Sequence, residues 1–167
     1  MLTDERYKFV KIYENSFRNN WELDAITDYG TTNTLTYGQL AERIAQLHIL
    51  FKQCGIQKDD KIAVMGKNNC NWVTTYLATV TYGAIIVPIL QDFKANDALH
   101  IINHSESKLL FITDLIWEAM DLEQIEEVKA VFSLTDFHTL ASRLKTKNAG
   151  WECALEAFAK AFPEGFT

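Results

Sequence analysis

From Thr36 to Gly55, apolar residues recur at helical intervals: Leu40, Ile44, Leu47, Phe51 and Cys54 fall on one face. Thr36 and Gln39 stand at the spacing of a capping box, and Gly55 supplies a left-handed stop. This stretch reads as a packing helix. Upstream, Tyr7, Val10, Tyr13 and Phe17 predict a short amphipathic helix over Asp4–Phe17. Between the two helices, β-branched residues flank "DYGTTN", where Gly30 and Asn33 offer turn chemistry, so a hairpin is expected.

Beyond Gly55 short apolar runs alternate with helical patterns. "KIAVMG" reads as a strand, and "NCNWVTTYLATVTYG" as a helix that turns Trp72, Val73, Tyr76, Leu77 and Val80 inward. "AIIVPI" is apolar on both faces, as a central parallel strand requires, with Pro88 at its end. "ANDALHIINHSES" predicts a helix, "KLLFITD" a strand, "LIWEAMD" a short helix and "VKAVFSL" another strand. The pattern then weakens. "DFHTLASRLK" is expected to be a helix capped by Asp136, and "WECALEAFAKAF" a helix with Trp151, Leu155, Phe158 and Phe162 on one face.

The alternation predicts an α/β fold: a doubly wound, mostly parallel sheet with helices on both faces and right-handed crossovers. All 167 residues are read as one domain. Within it, residues 1–20 hold the N-terminal helix, 21–36 the hairpin, 37–134 the α/β core and 135–167 a helical extension. The extension gives out at "PEGFT" just as a new segment opens, which reads as an incomplete domain, a truncated piece of a longer protein. Such a half-finished sheet should leave an apolar edge and self-associate.

Composition narrows the partners more than the fold. Apolar content of 48% and charged content of 23% are those of a globular chain. The net charge of −6, with Glu118, Asp121, Glu123, Glu126 and Glu127 close together, argues against nucleic acid as a partner. Cys54, Cys70 and Cys153 are odd in number and widely spaced, which suits small buried hydrophobes in a reducing, cytoplasmic setting. The longest apolar run, "AIIVPIL", is too short to span a bilayer.

Three places could carry chemistry. "MGKNN" begins as a phosphate-binding turn does, with Gly66 then Lys67 after a strand. A Walker loop, however, needs a second Gly and a Ser or Thr after the Lys, and both are missing here. Gly66 is better explained by the strand-to-helix turn, with Asn68 or Asn69 as the next helix's cap. His100 and His104 share a helix face but, with Ala98, Ile101, Ile102 and Ser105 directed inward, should point to solvent without a third metal ligand. Lys94 lies just past Pro88, where ligand crevices often open, and reads as a surface lysine before a helix. The residues therefore nominate no catalytic, cofactor-binding or metal-binding group.

Three stretches together resemble the N-terminal part of the adenylate-forming acyl-CoA synthetases, the AMP-binding ligases. They are "LTYGQLAERIAQL", "GIQKDDKIAVMGKNNCNWVTTYLATVTYGAIIVPI" and "IINHSESKLLFITD". Thr36, Tyr37 and Leu40 match a T-Y-x-x-L element that opens a helix ending in Gly, here Gly55. Asp59, Asp60, Lys61 and Ile62 match the approach to the next strand. Asn68 or Asn69, Trp72, Gly83, Ala84, Val87 and Pro88 match signatures that follow. "HIINHSE" and "EEVKAVFSL" are most similar to long-chain fatty acid–CoA ligases, whereas Tyr82 and "QDFKAN" depart from them.

The resemblance implies a parent that joins a fatty acid and ATP into an acyl-adenylate and then transfers the acyl group to coenzyme A. ATP, magnesium and coenzyme A are the implied cofactors, and peripheral membrane contact is an implied partner surface. Lys94 lies where some relatives place a cation near coenzyme A. The family's Ser/Thr/Gly-rich phosphate loop and its later motifs do not occur in these residues, so this piece is expected to be inactive alone. The competing expectation is a non-enzymatic protein-interaction or small-ligand-binding domain.

Overall fold

A computed structural model describes residues 5–146 and 148–167, with side chains from Phe9 onward. The Asp4 and Tyr7 side chains of the expected first helix lie outside the described set. Helix α1 (Glu5–Asn19) leads into the hairpin β1 (Asp24–Thr27) and β2 (Thr34–Thr36), whose strands pair antiparallel with one bulge. Helix α2 (Tyr37–Gln53) opens with both halves of the Thr36–Gln39 capping box formed and stops at Gly55, whose φ is 67°. Then follow β3 (Lys61–Met65), α3 (Cys70–Tyr82), β4 (Ile85–Ile89), α4 (Ala95–Ser105), β5 (Leu109–Ile112) and the single-turn α5 (Asp114–Trp117). β6 (Ala130–Ser133), β7 (Thr139–Ser142) and α6 (Trp151–Ala161) complete the order.

The main sheet has five strands in the order β4-β3-β5-β6-β7; all pairs are parallel except β6 with β7. Its core is two-sided. Ile62, Val64, Phe111 and Phe132 face α2, α3 and α6, whereas Ala63, Met65, Leu110, Ile112 and Val131 face α4 and the 114–128 segment. Strands β5 and β6 are buried at every position, which explains why they read as unbroken apolar runs. The fold is thus the expected α/β layer arrangement behind an N-terminal helix and hairpin.

The structure departs from expectation in three places. Residues 139–142 form a strand, not part of a helix capped by Asp136. The Asp136 carboxylate instead takes the His138 amide at 3.0 Å, and Phe137 turns left-handed at φ 65°, so the chain reverses and pairs back on β6. β4 is an edge strand, not a central one. The third departure is the rotation of α3: Cys70, Thr74, Thr75, Ala78 and Thr79 are its buried residues, while Trp72, Val73, Tyr76, Leu77 and Val80 are only half-buried. Thr74, Thr75 and Thr79 lie flat against the sheet because each hydroxyl donates to the carbonyl four residues back, at 2.7–2.8 Å.

Candidate functional site

In a doubly wound sheet the ligand crevice opens at the carboxyl ends of the strands, where the winding reverses. Here the chain leaves β3 for β4 on one side and returns to β5 on the other, so the reversal lies between β3 and β5. The crevice rim is built from Gly66–Asn69 after β3, Thr113 and Asp114 after β5, and Ser133–Thr135 after β6.

Gly66 is buried, and its lack of a side chain is required: a Cβ there would press into the Thr113 hydroxyl and come within 2.7 Å of Leu134 Cδ1. Lys67 and Asn68 are exposed beside it. Asn69, not Asn68, caps α3, its side-chain oxygen accepting the Trp72 amide at 2.8 Å. At the second residue of the helix, Asn71 Nδ2 donates to the carbonyls of Leu134 and Thr135 at 2.9 and 2.8 Å, and its oxygen accepts from Arg43 at 3.1 Å. Ser133 Oγ donates to Asp114 and accepts the Thr135 amide at 2.9 Å. The rim is thus tied together by its own hydrogen bonds.

The N-terminus of α3 already holds an anion. Asp28, from the hairpin, accepts the Cys70 amide at 2.6 Å and the Asn33 side chain at 2.7 Å. Burial pushes the Asp28 carboxyl up, but the hydrogen bonds from Asn33 and Cys70, with the nearby Arg43 charge, outweigh it and hold the group below its ordinary value. The Cys70 thiol is pushed up to about 11, first by burial and then by Asp28. A phosphate approaching these amides would meet a carboxylate. This carboxylate is separated from α3 by a whole helix in sequence, and no local signal marks it.

The other candidates are scattered. His100 and His104 are exposed on α4, with rings 5.9 Å apart and nearly parallel. No group of three or more His, Cys, Asp or Glu side chains suited to a metal occurs among the described residues. Lys94 is exposed at the start of α4 and caps it without a side-chain hydrogen bond. Pro88 lies in β4, away from the crevice between β3 and β5.

A second concavity was not foreseen. A groove of about 540 Å³ runs between α1, α3 and β4, walled by Phe9, Tyr13, Tyr76, Val80 and Ile86, with Lys58 at its rim. Trp72 stacks on Tyr76 beside it, ring centroids 5.8 Å apart. Of the residues expected to face the core on α3, Tyr76 and Val80 line this groove, while Trp72 and Leu77 pack against the edge of the core.

Comparison with known proteins places these features. A model of the AMP-binding enzyme family matches residues 13–161. An acyl-CoA ligase of Ajellomyces capsulatus is 33% identical over 95 residues, which is 57% of this chain and 16% of that protein. The coronafacic acid ligase of Pectobacterium brasiliense has the same fold at TM-score 0.73 and 18% identity, over 88% of this chain and 29% of that one. A long-chain-fatty-acid-CoA ligase of Archaeoglobus fulgidus gives a TM-score of 0.68 at 18% identity, over 89% and 29%. The chain spans a fifth or less of the curated relatives it matches. With the family match running from within α1 to the end of α6, and the fold shared with ligases of that type, this chain belongs to the AMP-binding, adenylate-forming enzyme family.

Proposed function

We propose that residues 1–167 form one wall of the large domain of a cytoplasmic acid–CoA ligase whose acid is a long-chain fatty acid. The observation that carries this reading is the ordered run of signatures from Thr36 to Pro88, laid on α2, β3, α3 and β4 within a family match. "HIINHSE" on α4 and "EEVKAVFSL" entering β6 support the long-chain assignment. The partners are a fatty acid and, at most peripherally, a membrane surface; no helix among the described residues is long and apolar enough to cross a bilayer.

The whole enzyme would use ATP with magnesium to form the acyl-adenylate, and coenzyme A to take the acyl group from it. The residues present do not fit the triphosphate. Gly66 is buried, Lys67 is a lone exposed cation, and the α3 amides are held by Asp28. No step of the adenylation is therefore assigned to this chain's side chains, and Lys94 alone does not make a coenzyme A site. The role of the piece is architectural: α2 and α3 fix the crevice rim through Asn71 and Arg43, and the sheet carries it.

Two assays test this reading. Purified residues 1–167, given ATP, magnesium, hexadecanoate and hydroxylamine, are expected to yield no acyl-hydroxamate above a vector control. The uninterrupted genomic reading frame containing this chain, expressed whole, is expected to thioesterify hexadecanoate faster than benzoate. A preference for benzoate would remove the long-chain assignment.

A further inference from the structure

The four histidines of the chain divide into two pairs. His48 and His138 have partners: the Ala78 carbonyl and Thr81 hydroxyl for the first, the Asp136 carboxylate for the second. His100 and His104 have only each other. Among the described residues, no hydrogen bond or ion pair engages a nitrogen of either ring, and both side chains are exposed. A neutral imidazole always keeps one nitrogen as an acceptor, so two unclaimed lone pairs stand side by side on one helix.

α4 holds that pair at a set spacing. Ala98 and Ile102 are buried and seat the helix on the sheet, and His100 and His104 lie on the opposite face. Asn103 fastens the helix from the side: its amide donates to the Gln124 carbonyl at 3.0 Å, and its oxygen accepts the Glu126 amide at 3.1 Å. Side chains four residues apart on a helix have Cβ atoms about 5–6 Å apart. The two rings here lie 5.9 Å centroid to centroid and 13° from parallel. A cation bound at about 2.0–2.1 Å from one nitrogen of each ring needs those nitrogens no more than about 4 Å apart. Exposed side chains reach that by rotating between staggered rotamers. Asp97, exposed on the same face one turn before His100, adds a negative charge that favours a cation there.

We propose that His100 and His104 together bind one divalent ion of the late first-row metals, Cu2+ most tightly and Zn2+ less so. Imidazole nitrogen suits these ions, and affinity for such donors peaks at Cu2+. Mg2+ asks for oxygen ligands and is not held. The site has two protein ligands and no third among the described residues, so water fills the remaining positions. Both ligands come from a single helix, and no other part of a longer protein is needed to complete the site. Their spacing exists only while α4 is helical. The ion therefore binds the folded chain in preference to the unfolded one and stabilises it.

Calorimetric titration of the untagged 167-residue chain with Cu2+ at pH 7.5, repeated with Zn2+ and Mg2+, tests this. One Cu2+ per chain is expected, with Zn2+ weaker and Mg2+ unbound. Saturating Zn2+ should also raise the midpoint of urea unfolding. His100→Asn and His104→Asn are each expected to weaken Cu2+ binding by about tenfold or more, because losing either ligand ends the chelate. Each should also abolish the midpoint shift, and at exposed positions neither disturbs the fold. His138→Asn and Cys153→Ser should leave both readouts unchanged. Absence of Cu2+ binding overturns the proposal. So does binding that survives the loss of either ring, or binding that follows His138 or Cys153. The same comparison is made in the uninterrupted reading frame expressed whole, where His100→Asn must again weaken Cu2+ binding. No difference there would mean that this face of α4 is closed in the longer protein, and also overturns it.

Discussion

The two edges of the main sheet follow different rules. β7 ends the sheet with Thr139 and Ser142 exposed, pairs antiparallel through an irregular register, and is fastened by Arg143 donating to the carbonyls of Val128 and Glu126. Such features keep an edge from recruiting further strands. β4 ends it with exposed isoleucine, a regular parallel register and an apolar groove alongside. Pro88 is its one protective feature, and it removes only one donor. β7 is an edge built to face water; β4 is built to be covered.

The largest effect should lie between the edges. Phe111 is fully buried and packs on Phe51, Phe132 and Phe137. Phe111→Ala is expected to cost about 3–5 kcal/mol in urea unfolding; a loss below about 1 kcal/mol would mean that the interior is no better packed than the edges. Gly66→Ala forces a methyl against Thr113 and Leu134, and should cost roughly 1–3 kcal/mol. Asp28→Asn weakens the anion at the α3 N-terminus, with an expected loss of about 1 kcal/mol. It should also lower the Cys70 thiol pKa, which thiol titration reads directly.

A smaller, pH-dependent effect is expected at His48, packed between α2 and α3 against Phe51 and Tyr82. Its Nε2 lies 3.0 Å from the Ala78 carbonyl and from Thr81 Oγ1, and since a carbonyl only accepts, Nε2 carries the proton. Burial lowers its pKa from 6.5 despite the Ala78 hydrogen bond. The folded state therefore binds the second proton less readily than the unfolded chain. Stability is whole above pH 6.5, falls as pH drops from there through the lower folded value, then levels off. His48→Gln should flatten that part of the urea-midpoint profile. The smallest change belongs to the β4 edge: Ile85→Thr should shift monomer stability by no more than about 0.5 kcal/mol. A larger loss would show that β4 is already covered within the monomer and would dissolve the contrast with β7.

Much of this fold could be read locally. The capping box at Thr36, the stop at Gly55 and the unbroken apolar runs of β5 and β6 depend on neighbours in sequence, and each formed where expected. α3 was legible as a helix but not in its rotation. Periodicity favours the larger apolar residues as the inward set, yet threonines that satisfy their own hydroxyls lie closer to the sheet than tryptophan or tyrosine could. "TLAS" fits either period, and the left-handed turn at Phe137 decided in favour of a strand. The crevice rim was half legible: Gly66 stands out, but Asp28 and Asn71 act across 42 and 63 residues of chain, where no pattern announces them.

The clasp of Asp28 over Cys70 has a kinetic corollary. A thiol in the first turn of a helix is normally sharpened by the helix dipole; here a carboxylate blunts it, and it sits beneath the β1–β2 hairpin. An alkylating reagent must wait for that hairpin to lift. The rate at which Cys70 is labelled is therefore a clock for the opening of the N-terminal flap, independent of any change in the sheet below it.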